Sequence, residues 1–214
     1  MKELKMLMPE TGKVLQKLAN LDLLKDFTFV GGTALTYHLS HRYSEDIDLF
    51  TWNNRIDTLN IQRQIEKAGF NTIKAVDLSD KQADFLLDGV KVTFFADDWN
   101  ELKNREQIHS KLYIANLQTI GVMKINTLFL RAKFRDYYDL YVLSLEHFSV
   151  PELYELTKNK MSNLTMTLFQ RALIFTKDIE DENIDHFEPK YNVTIQQIED
   201  HFHNEVKKWI DALN

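Results

Sequence analysis

The segment from Gly31 to Phe50 constrains the fold of this chain more than any other part of the sequence. An apolar stretch at residues 27–30 precedes it and predicts a strand, which ends at a pair of glycines. Residues 33–39 have the apolar spacing of a helix, and the apolar residues from Ile47 to Phe50 predict a second strand. The order of strand, glycine pair, helix and strand predicts a sheet with at least one helix packed on it.

Two aspartates stand at the start of the second predicted strand. Residues two apart on a strand point to the same face, so we expect Asp46 and Asp48 side by side and Ile47 in a core. Carboxylates at this spacing suit Mg²⁺, which also takes water and substrate phosphate oxygens. Gly31 and Gly32 offer backbone N–H groups at the start of a helix, where phosphates bind well. The alternative is a tight glycine turn and a strand end with two solvated acids.

Three polar side chains nearby are further candidates for phosphate contact. Thr33 follows the glycine pair and belongs to the same expected phosphate cradle. Ser44 either donates its hydroxyl to a phosphate oxygen or is a turn residue before the strand. Arg42 either reaches a phosphate or pairs with Glu45.

Composition excludes several classes of protein. Of the 214 residues, 44% are hydrophobic, 27% are charged and none is cysteine, so disulfide frameworks and thiolate metal sites are excluded. The first ten residues lack the apolar core of a secretory signal, and no apolar run is long enough to span a membrane. A net charge of -6 argues against broad nonspecific nucleic-acid binding. We expect a cytoplasmic protein with no membrane partner.

The pattern changes near residue 116, from strands mixed with helices to helices alone. Apolar residues recur at helical spacing around Val14 to Leu21, and Asp88-Gly89 between two β-rich runs predicts a hairpin. Helices are further predicted at 57–68, 120–133, 136–146, 164–177 and 194–213, and another helix is predicted to begin at residue 149. Strands are predicted at 70–76, 85–87, 90–95 and 112–115. The acidic segment 178–188 predicts a solvated loop. We therefore expect an α+β fold, with a mixed-sheet domain at 1–116 and a helical domain at 117–214.

The helical half holds a second group of charged residues. Lys124 and Arg131 are two helical turns apart and share a face. Asp136 and Asp139 share a face of the next predicted helix, and Arg135 is placed to pair with Asp139. On their own, these residues are equally consistent with a solvated helix face that carries scattered charge.

Both groups resemble the signature of the DNA polymerase beta-like nucleotidyltransferases, and within them most closely the AbiEii/AbiGii toxin family. The first family motif is a glycine pair, a spacer, Arg-Ser or Arg-Thr, and Asp-x-Asp. It is similar to Gly31-Gly32, Arg42-Tyr43-Ser44 and Asp46-Ile47-Asp48, with one extra residue between the arginine and the serine. The family's lysine helix and its Arg-Asp-x-x-Asp helix are similar to residues 121–143.

The resemblance implies a polymerase beta-like nucleotidyltransferase fold, with a site that includes both groups in a cleft between the two halves. It implies that Asp46 and Asp48 bind one or two Mg²⁺ ions and that Lys124 contacts the nucleoside triphosphate. The residues with an implied catalytic role are Asp46, Asp48, Lys124, Asp136 and Asp139. Those with an implied role in nucleotide binding are Gly31, Gly32, Thr33, Arg42, Ser44 and Arg131.

One family feature is missing from its expected place. The polymerase beta-like fold carries a third carboxylate on a neighbouring strand. The best strand for it here is 90–95, whose polar residues are Lys91 and Thr93. Asp97 and Asp98 lie just past the end of that strand. Either two strand carboxylates and a helical aspartate are sufficient, or catalysis is impaired.

The resemblance implies a magnesium-dependent enzyme that moves a nucleoside monophosphate from a nucleoside triphosphate to an acceptor. It further implies the toxin of a toxin–antitoxin or abortive-infection system, with a cognate antitoxin as partner and RNA, such as tRNA, as an acceptor. Two alternatives stay open. One is a noncatalytic nucleotide- or partner-binding protein on the same fold. The other is a small-molecule, antibiotic-type nucleotidyltransferase, which an acidic cleft for a cationic substrate would favour.

Overall fold

The computed structural model describes residues 7–97 and 104–213 and divides into two compact units, Met1–Leu117 and Gln118–Asn214. The helices described in the first unit are α1 (Pro9–Leu18), α2 (Gly31–Leu39) and α3 (Thr58–Glu66). The strands are β1 (Thr28–Val30), β2 (Ile47–Thr51), β3 (Ile73–Leu78), β4 (Gln82–Leu87), β5 (Val90–Ala96), β6 (Arg105–His109) and β7 (Leu112–Ala115). The later helices are α4 (Leu117–Arg131), α5 (Phe134–Glu146), α6 (Val150–Lys158), α7 (Met166–Ile174) and α8 (Ile195–Asp211). Short 3-10 helices span Asp22–Asp26 and Asp185–Phe187.

The strands of the first unit form one mixed sheet in the order β3-β4-β5-β2-β1-β7-β6. β2 is antiparallel to β1 and parallel to β5, and β1 is also parallel to β7. Phe29, Leu49 and Phe94 lie opposite one another on β1, β2 and β5, and all three are fully buried. This apolar row marks the core face of the sheet, so the alternate residues of β2 point to the other face.

The Asp88-Gly89 turn joins β4 to β5, and the predicted hairpin is confirmed. Both turn residues have positive φ, 47° and 86°, as a two-residue hairpin turn requires. The Asp88 carboxylate accepts hydrogen bonds from the backbone N–H groups of Asn71 and Thr72, and from the Lys17 ammonium at 2.9 Å. The Lys17 hydrogen bond holds the pKa of Asp88 below its usual value. One carboxylate thus ties the hairpin to α1 and to the loop before β3.

Aromatic residues build the core of the second unit. Tyr137 and Tyr138 on α5 are buried, as are Phe169 on α7 and Phe202 on α8. The Tyr137 hydroxyl donates to the backbone oxygen of Ala172 at 2.8 Å, and burial raises the pKa of Tyr137 to about 12. The hydroxyl is therefore a permanent donor that fastens α5 to α7 over the accessible pH range.

The predicted α+β fold is confirmed, with two local differences. β6 has no counterpart among the predicted strands, because Arg105–His109 is polar and lacks the alternation of a half-buried strand. The expectation of a wholly solvated loop at 178–188 is wrong, since Ile184 and Phe187 are buried around the second 3-10 helix. Across the described ranges, no helix is both long and apolar enough to cross a membrane.

Candidate active site

Asp46 and Asp48 flank Ile47, the first residue of β2. Ile47 is fully buried, whereas both aspartates are half-buried, so exposure alternates along this segment. The alternation places the two carboxylates on the face of the sheet opposite to the apolar core. The two carboxylates, which are hard oxygen ligands, are therefore side by side and partly exposed to solvent.

The Asp48 carboxylate lies directly against Gly31 at the start of α2. Val30 is opposite Asp48 in the β1–β2 ladder, which brings the following residue, Gly31, close to the aspartate. A Cβ atom on Gly31 would lie 2.2 Å from Asp48 Oδ2, and Gly31 has a φ of +78°. A side chain there would be strained and would collide with the carboxylate. The first turn of α2, which includes Gly32 and Thr33, therefore begins beside a negative charge, which a helix N-terminus favours.

Thr33 and Ser44 form a hydroxyl pair that ties α2 to the segment before β2. Thr33 Oγ1 donates to the backbone oxygen of Asp46 and lies 2.7 Å from Ser44 Oγ. A hydroxyl has one proton, so Ser44 is the donor in the second bond. Both residues are buried, and both protons are used within the protein. The geometry favours a positioning role for this pair, which fixes Asp46, over donation from Ser44 to a phosphate.

Arg42 is also buried, in the segment between α2 and β2. Its Nη1 donates to the backbone oxygen of Tyr43 at 2.9 Å, and its own backbone oxygen accepts from Thr36 Oγ1 at 3.0 Å. Glu45 is exposed. The guanidinium is therefore part of the packed loop that leads to Asp46.

The strand beside β2 offers a hydroxyl where a third carboxylate was expected. Thr93 on β5 is opposite Asp48, and Asp84 on β4 is opposite Thr93, so the three side chains form a row on one face. Adjacent strands are about 4.8 Å apart, so the backbone of Asp84 lies two strands, or roughly 10 Å, from that of Asp48. The Asp84 carboxylate contacts Lys91 at 3.5 Å and Gln82 at 3.0 Å.

The carboxylates of Asp46 and Asp48 fit a Mg²⁺ site that water and substrate complete better than they fit a site in which protein groups supply every ligand. Asp97 follows β5, and its backbone N–H donates to Thr51 at 3.3 Å, whereas Asp98 lies outside the described residues. In the parts of the chain that the structure describes, no group of three or more His, Cys, Asp or Glu residues is placed to hold a metal. The number of carboxylates at Asp46 and Asp48 fits Mg²⁺, which is commonly bound by one or two carboxylates and completed by water and substrate phosphates.

A cavity of about 410 Å³ lies beside Asp46. Four of its lining residues, Glu10, Glu45, Asp46 and Asp88, are acidic and one, Lys91, is basic, although the Asp88 carboxylate already pairs with Lys17. The remaining lining residues are Met8, Thr11, Leu86, Gly89 and Val90. A cavity of this volume accommodates a small ligand or part of a larger one.

The second unit contains a buried ion cluster. Lys124 on α4 is 8% exposed, and its ammonium lies 2.9 Å from Asp136 Oδ1 and 2.7 Å from Asp139 Oδ2 on α5. The alternative of a solvated helix face is therefore wrong for these three residues. The expected Arg135–Asp139 pair is also wrong, because Asp139 binds Lys124 and Arg135 pairs with Glu182 at 3.1 Å.

The sequence of α4 could have indicated that Lys124 is buried. Ile120, Gly121 and Ile125 are buried on the same helix, so Lys124 lies on an apolar face. A lysine on such a face is rarely buried unless it is paired. Arg131, seven residues further on and at the end of α4, is exposed. The two cations therefore differ in environment although helical spacing puts them on one face.

Comparison with known proteins decides the family. A family model described as "Nucleotidyl transferase AbiEii toxin, Type IV TA system" matches residues 13–114. The protein aq_aa25 of Aquifex aeolicus (strain VF5) is 31% identical over 205 residues, which is 94% of this chain and 97% of that protein. The chain belongs to the AbiEii nucleotidyl transferase toxin family. Its enzyme class is therefore nucleotidyl transfer.

Two solved structures of low sequence identity share the AbiEii-type fold of this chain. JHP933 from Helicobacter pylori is 19% identical, with a TM-score of 0.56 and coverage of 97% of this chain and 98% of that one. MenT4, a nucleotidyltransferase toxin from Mycobacterium tuberculosis H37Rv, is 14% identical, with a TM-score of 0.57 and coverage of 90% and 80%. The nucleotidyltransferase fold is thus shared over nearly the whole chain.

The AbiEii family match covers the first group of site residues and ends before the second. Residues 13–114 include the glycine pair, Asp46 and Asp48. The ion cluster of Lys124 lies beyond them, within the stretch that the Aquifex relative also spans. The family match therefore covers the first group of residues, whereas the second group is covered by the match to the Aquifex relative.

We predict that Gly31→Ala lowers the free energy of unfolding more than Gly69→Ala does. Gly69 also has a positive φ, +73°, but a Cβ there meets no atom within 4 Å, whereas the Gly31 Cβ collides with Asp48. The φ strain costs roughly 1 kcal/mol at either site, and overpacking against Asp48 adds roughly 1–3 kcal/mol at Gly31. Denaturant unfolding measures both losses. Equal losses would show that Asp48 does not lie against Gly31.

We also predict that Lys124→Met destabilises the second unit, because it leaves Asp136 and Asp139 buried without their cation. The loss expected for breaking a buried ion pair is roughly 3–5 kcal/mol. Lys133→Met is the matched control, since Lys133 is exposed, and its effect should stay within about 0.5 kcal/mol. Urea unfolding of both variants is the measurement. A small loss for Lys124→Met, similar to the control, would mean that the ammonium is solvated.

Proposed function

We propose that this chain transfers a nucleoside monophosphate from a nucleoside triphosphate to an acceptor hydroxyl or phosphate, as the toxin of a toxin–antitoxin or abortive-infection system. The acceptor oxygen bonds to the α-phosphorus, the bond from that phosphorus to the bridging oxygen breaks, and pyrophosphate leaves. The observation that carries the proposal is the placement of Asp48 against Gly31, next to Asp46, at the N-terminus of α2.

In the first unit, the protein contributes position and charge. Asp46 and Asp48 would hold one or two Mg²⁺ ions together with triphosphate oxygens, and the ions would offset the charge that develops during transfer. Gly31 and Gly32 offer backbone N–H groups to the anionic triphosphate at a helix start. Thr33, through its bond to the backbone of Asp46, holds the first carboxylate in place.

In the second unit, we assign Lys124, Asp136 and Asp139 to the same reaction, with Arg131 as a further nucleotide contact. Lysine is a compact cation suited to a triphosphate, and the two carboxylates orient its ammonium at 2.9 and 2.7 Å. The burial of these three charged residues supports the assignment. Removing their charges from water costs free energy that their mutual attraction offsets only in part. A buried cluster of this kind is therefore weak evidence for a stabilising role, which leaves a functional role as the reason for it.

RNA, such as tRNA, is the acceptor that we propose first, and a cognate antitoxin is the protein partner. Membership of a family described as the toxin of a type IV TA system supports the antitoxin partner. The RNA acceptor and a cytoplasmic location, where nucleoside triphosphates and RNA are available, are parts of the same proposal.

The acidic cavity beside Asp46 favours a second candidate, a small cationic acceptor. Acidic residues outnumber basic ones in its lining, so a molecule with several amines and hydroxyls would be attracted there. A polyanionic RNA backbone would be repelled from the same lining, unless bound Mg²⁺ offsets the carboxylate charge.

Asp46→Asn and Asp48→Asn should each reduce nucleotidyl transfer roughly 100-fold or more, because each removes a proposed metal ligand. Both variants should also lose the rise in melting temperature that a triphosphate with Mg²⁺ gives the wild-type protein. Asp211→Asn, at an exposed position of α8, is the control and should keep both properties. Retention of activity and of the thermal shift in either site variant would remove the proposed metal site.

The two candidate acceptors can be distinguished by which of them receives radioactive label from the nucleoside triphosphate. Purified protein is incubated with Mg²⁺, each of the four α-³²P nucleoside triphosphates in turn, and either total cell RNA or an aminoglycoside such as kanamycin. We expect label in RNA, with no loss of RNA labelling in a Glu10→Gln/Glu45→Gln variant. Label in kanamycin, reduced several-fold by that variant through the weakened acidic lining, would instead establish the cationic acceptor.

A further inference from the structure

The strand β3 is an uncovered edge of the sheet. It lies at one end of the strand order, paired with β4 alone among the described strands. All six of its residues are exposed, including the apolar residues Ile73 (37%), Val76 (61%) and Leu78 (43%). An edge strand presents unpaired backbone N–H and C=O groups, which form a template for another strand.

The opposite edge of the same sheet is protected in a way that β3 is not. β6 carries Arg105, Glu106, Gln107 and His109, and charged or polar side chains on an edge discourage pairing. The sequence of β3 is Ile-Lys-Ala-Val-Asp-Leu, which has one cation, one anion and four apolar residues. Each edge carries one cation and one anion, but the other residues of β3 are all apolar, whereas β6 has only one apolar residue, Ile108.

An irregularity in β3 sets the direction of its two charged side chains. The register against β4 shifts between Ala75 and Asp77, so Val76 is an extra, bulged residue. Lys74 is opposite Leu86 and Asp77 is opposite Asp84, which are two residues apart on β4. Lys74 and Asp77 therefore point to the same face, whereas residues three apart on a regular strand would point to opposite faces.

The bulge makes β3 complementary to itself. If two copies pair antiparallel about an axis between Ala75 and Val76, Lys74 of each copy lies opposite Asp77 of the other. Ile73 of each copy then lies opposite Leu78 of the other. Ile73 and Leu78 are opposite Leu87 and Ala83 of β4, so they also share one face, the core face. Two ion pairs on one face and two apolar pairs on the other would form together.

The charges of β3 are uncompensated within one copy. In the described ranges, neither Lys74 nor Asp77 has an ion pair. Asp77 moreover lies opposite Asp84 across the β3–β4 ladder, and like charges placed opposite each other are unfavourable. A lysine from a second copy would offset this repulsion.

We propose that β3 pairs with β3 of a second copy of this chain, in the antiparallel register described above, to form a two-fold symmetric dimer. Such an interface is isologous, so one surface serves both copies and the assembly closes at two. Pairing through one strand from each copy buries little surface, so a weak, concentration-dependent dimer is expected. This dimer is independent of the reaction proposed above.

Sedimentation velocity of the full chain at increasing concentration tests the dimer, with two charge variants that test its register. Lys74→Asp makes both charged positions acidic, and Asp77→Lys makes both basic. Each variant alone should dimerise about tenfold more weakly than the wild type, because two attractive pairs become repulsive. An equimolar mixture of the two should recover dimerisation, since every pair then joins opposite charges.

Lys74 and Asp77 are exposed, so both variants should stay folded and nucleotidyl transfer should be unchanged. Asp77→Lys should melt no lower than the wild type, because it removes the like charge opposite Asp84. A wild-type chain that stays monomeric overturns the proposal. A dimer that persists in both single variants, or a mixture that stays monomeric, also overturns it, because the interface or the register would then be different.

Discussion

The antiparallel pairing of β1 with β2 is the constraint on which the candidate site depends. Because Val30 is opposite Asp48, the chain that leaves β1 meets the carboxylate within one residue, and only a glycine with a positive φ fits there. The same pairing buries Phe29 against Leu49 on the other face. Core packing on one face therefore determines the position of the Asp48 carboxylate on the other.

The two pairs of aspartates differ in their exposure. Asp46 and Asp48 are half-buried at the start of β2. Asp136 and Asp139 are buried, and Lys124 from the same unit supplies a cation to both. The charge of the second pair is therefore largely balanced within the fold, whereas the first pair is partly exposed to solvent.

Much of the fold could be predicted because its signals are local. The glycine pair, the Asp88-Gly89 turn and the start of a helix at Ser149 each depend on neighbouring residues, and all appear in the structure. The bonds of Thr33 to Ser44 and Asp46 could not be predicted, since they depend on how α2 packs against the next segment. The same holds for the row of Asp48, Thr93 and Asp84, which exists only because β5 and β4 lie beside β2.

The strand order also determines when the protein becomes competent during synthesis. The glycine pair and both carboxylates are translated by residue 48, but β2 gains its parallel neighbour only when β5 has been made. β1 gains its own only when β7, which ends at Ala115, has been made. Non-local pairings form late, because their loops must close first. A ribosome-bound chain therefore displays the complete first motif without the sheet that supports it, so the toxin fold is withheld until most of the first unit has been translated.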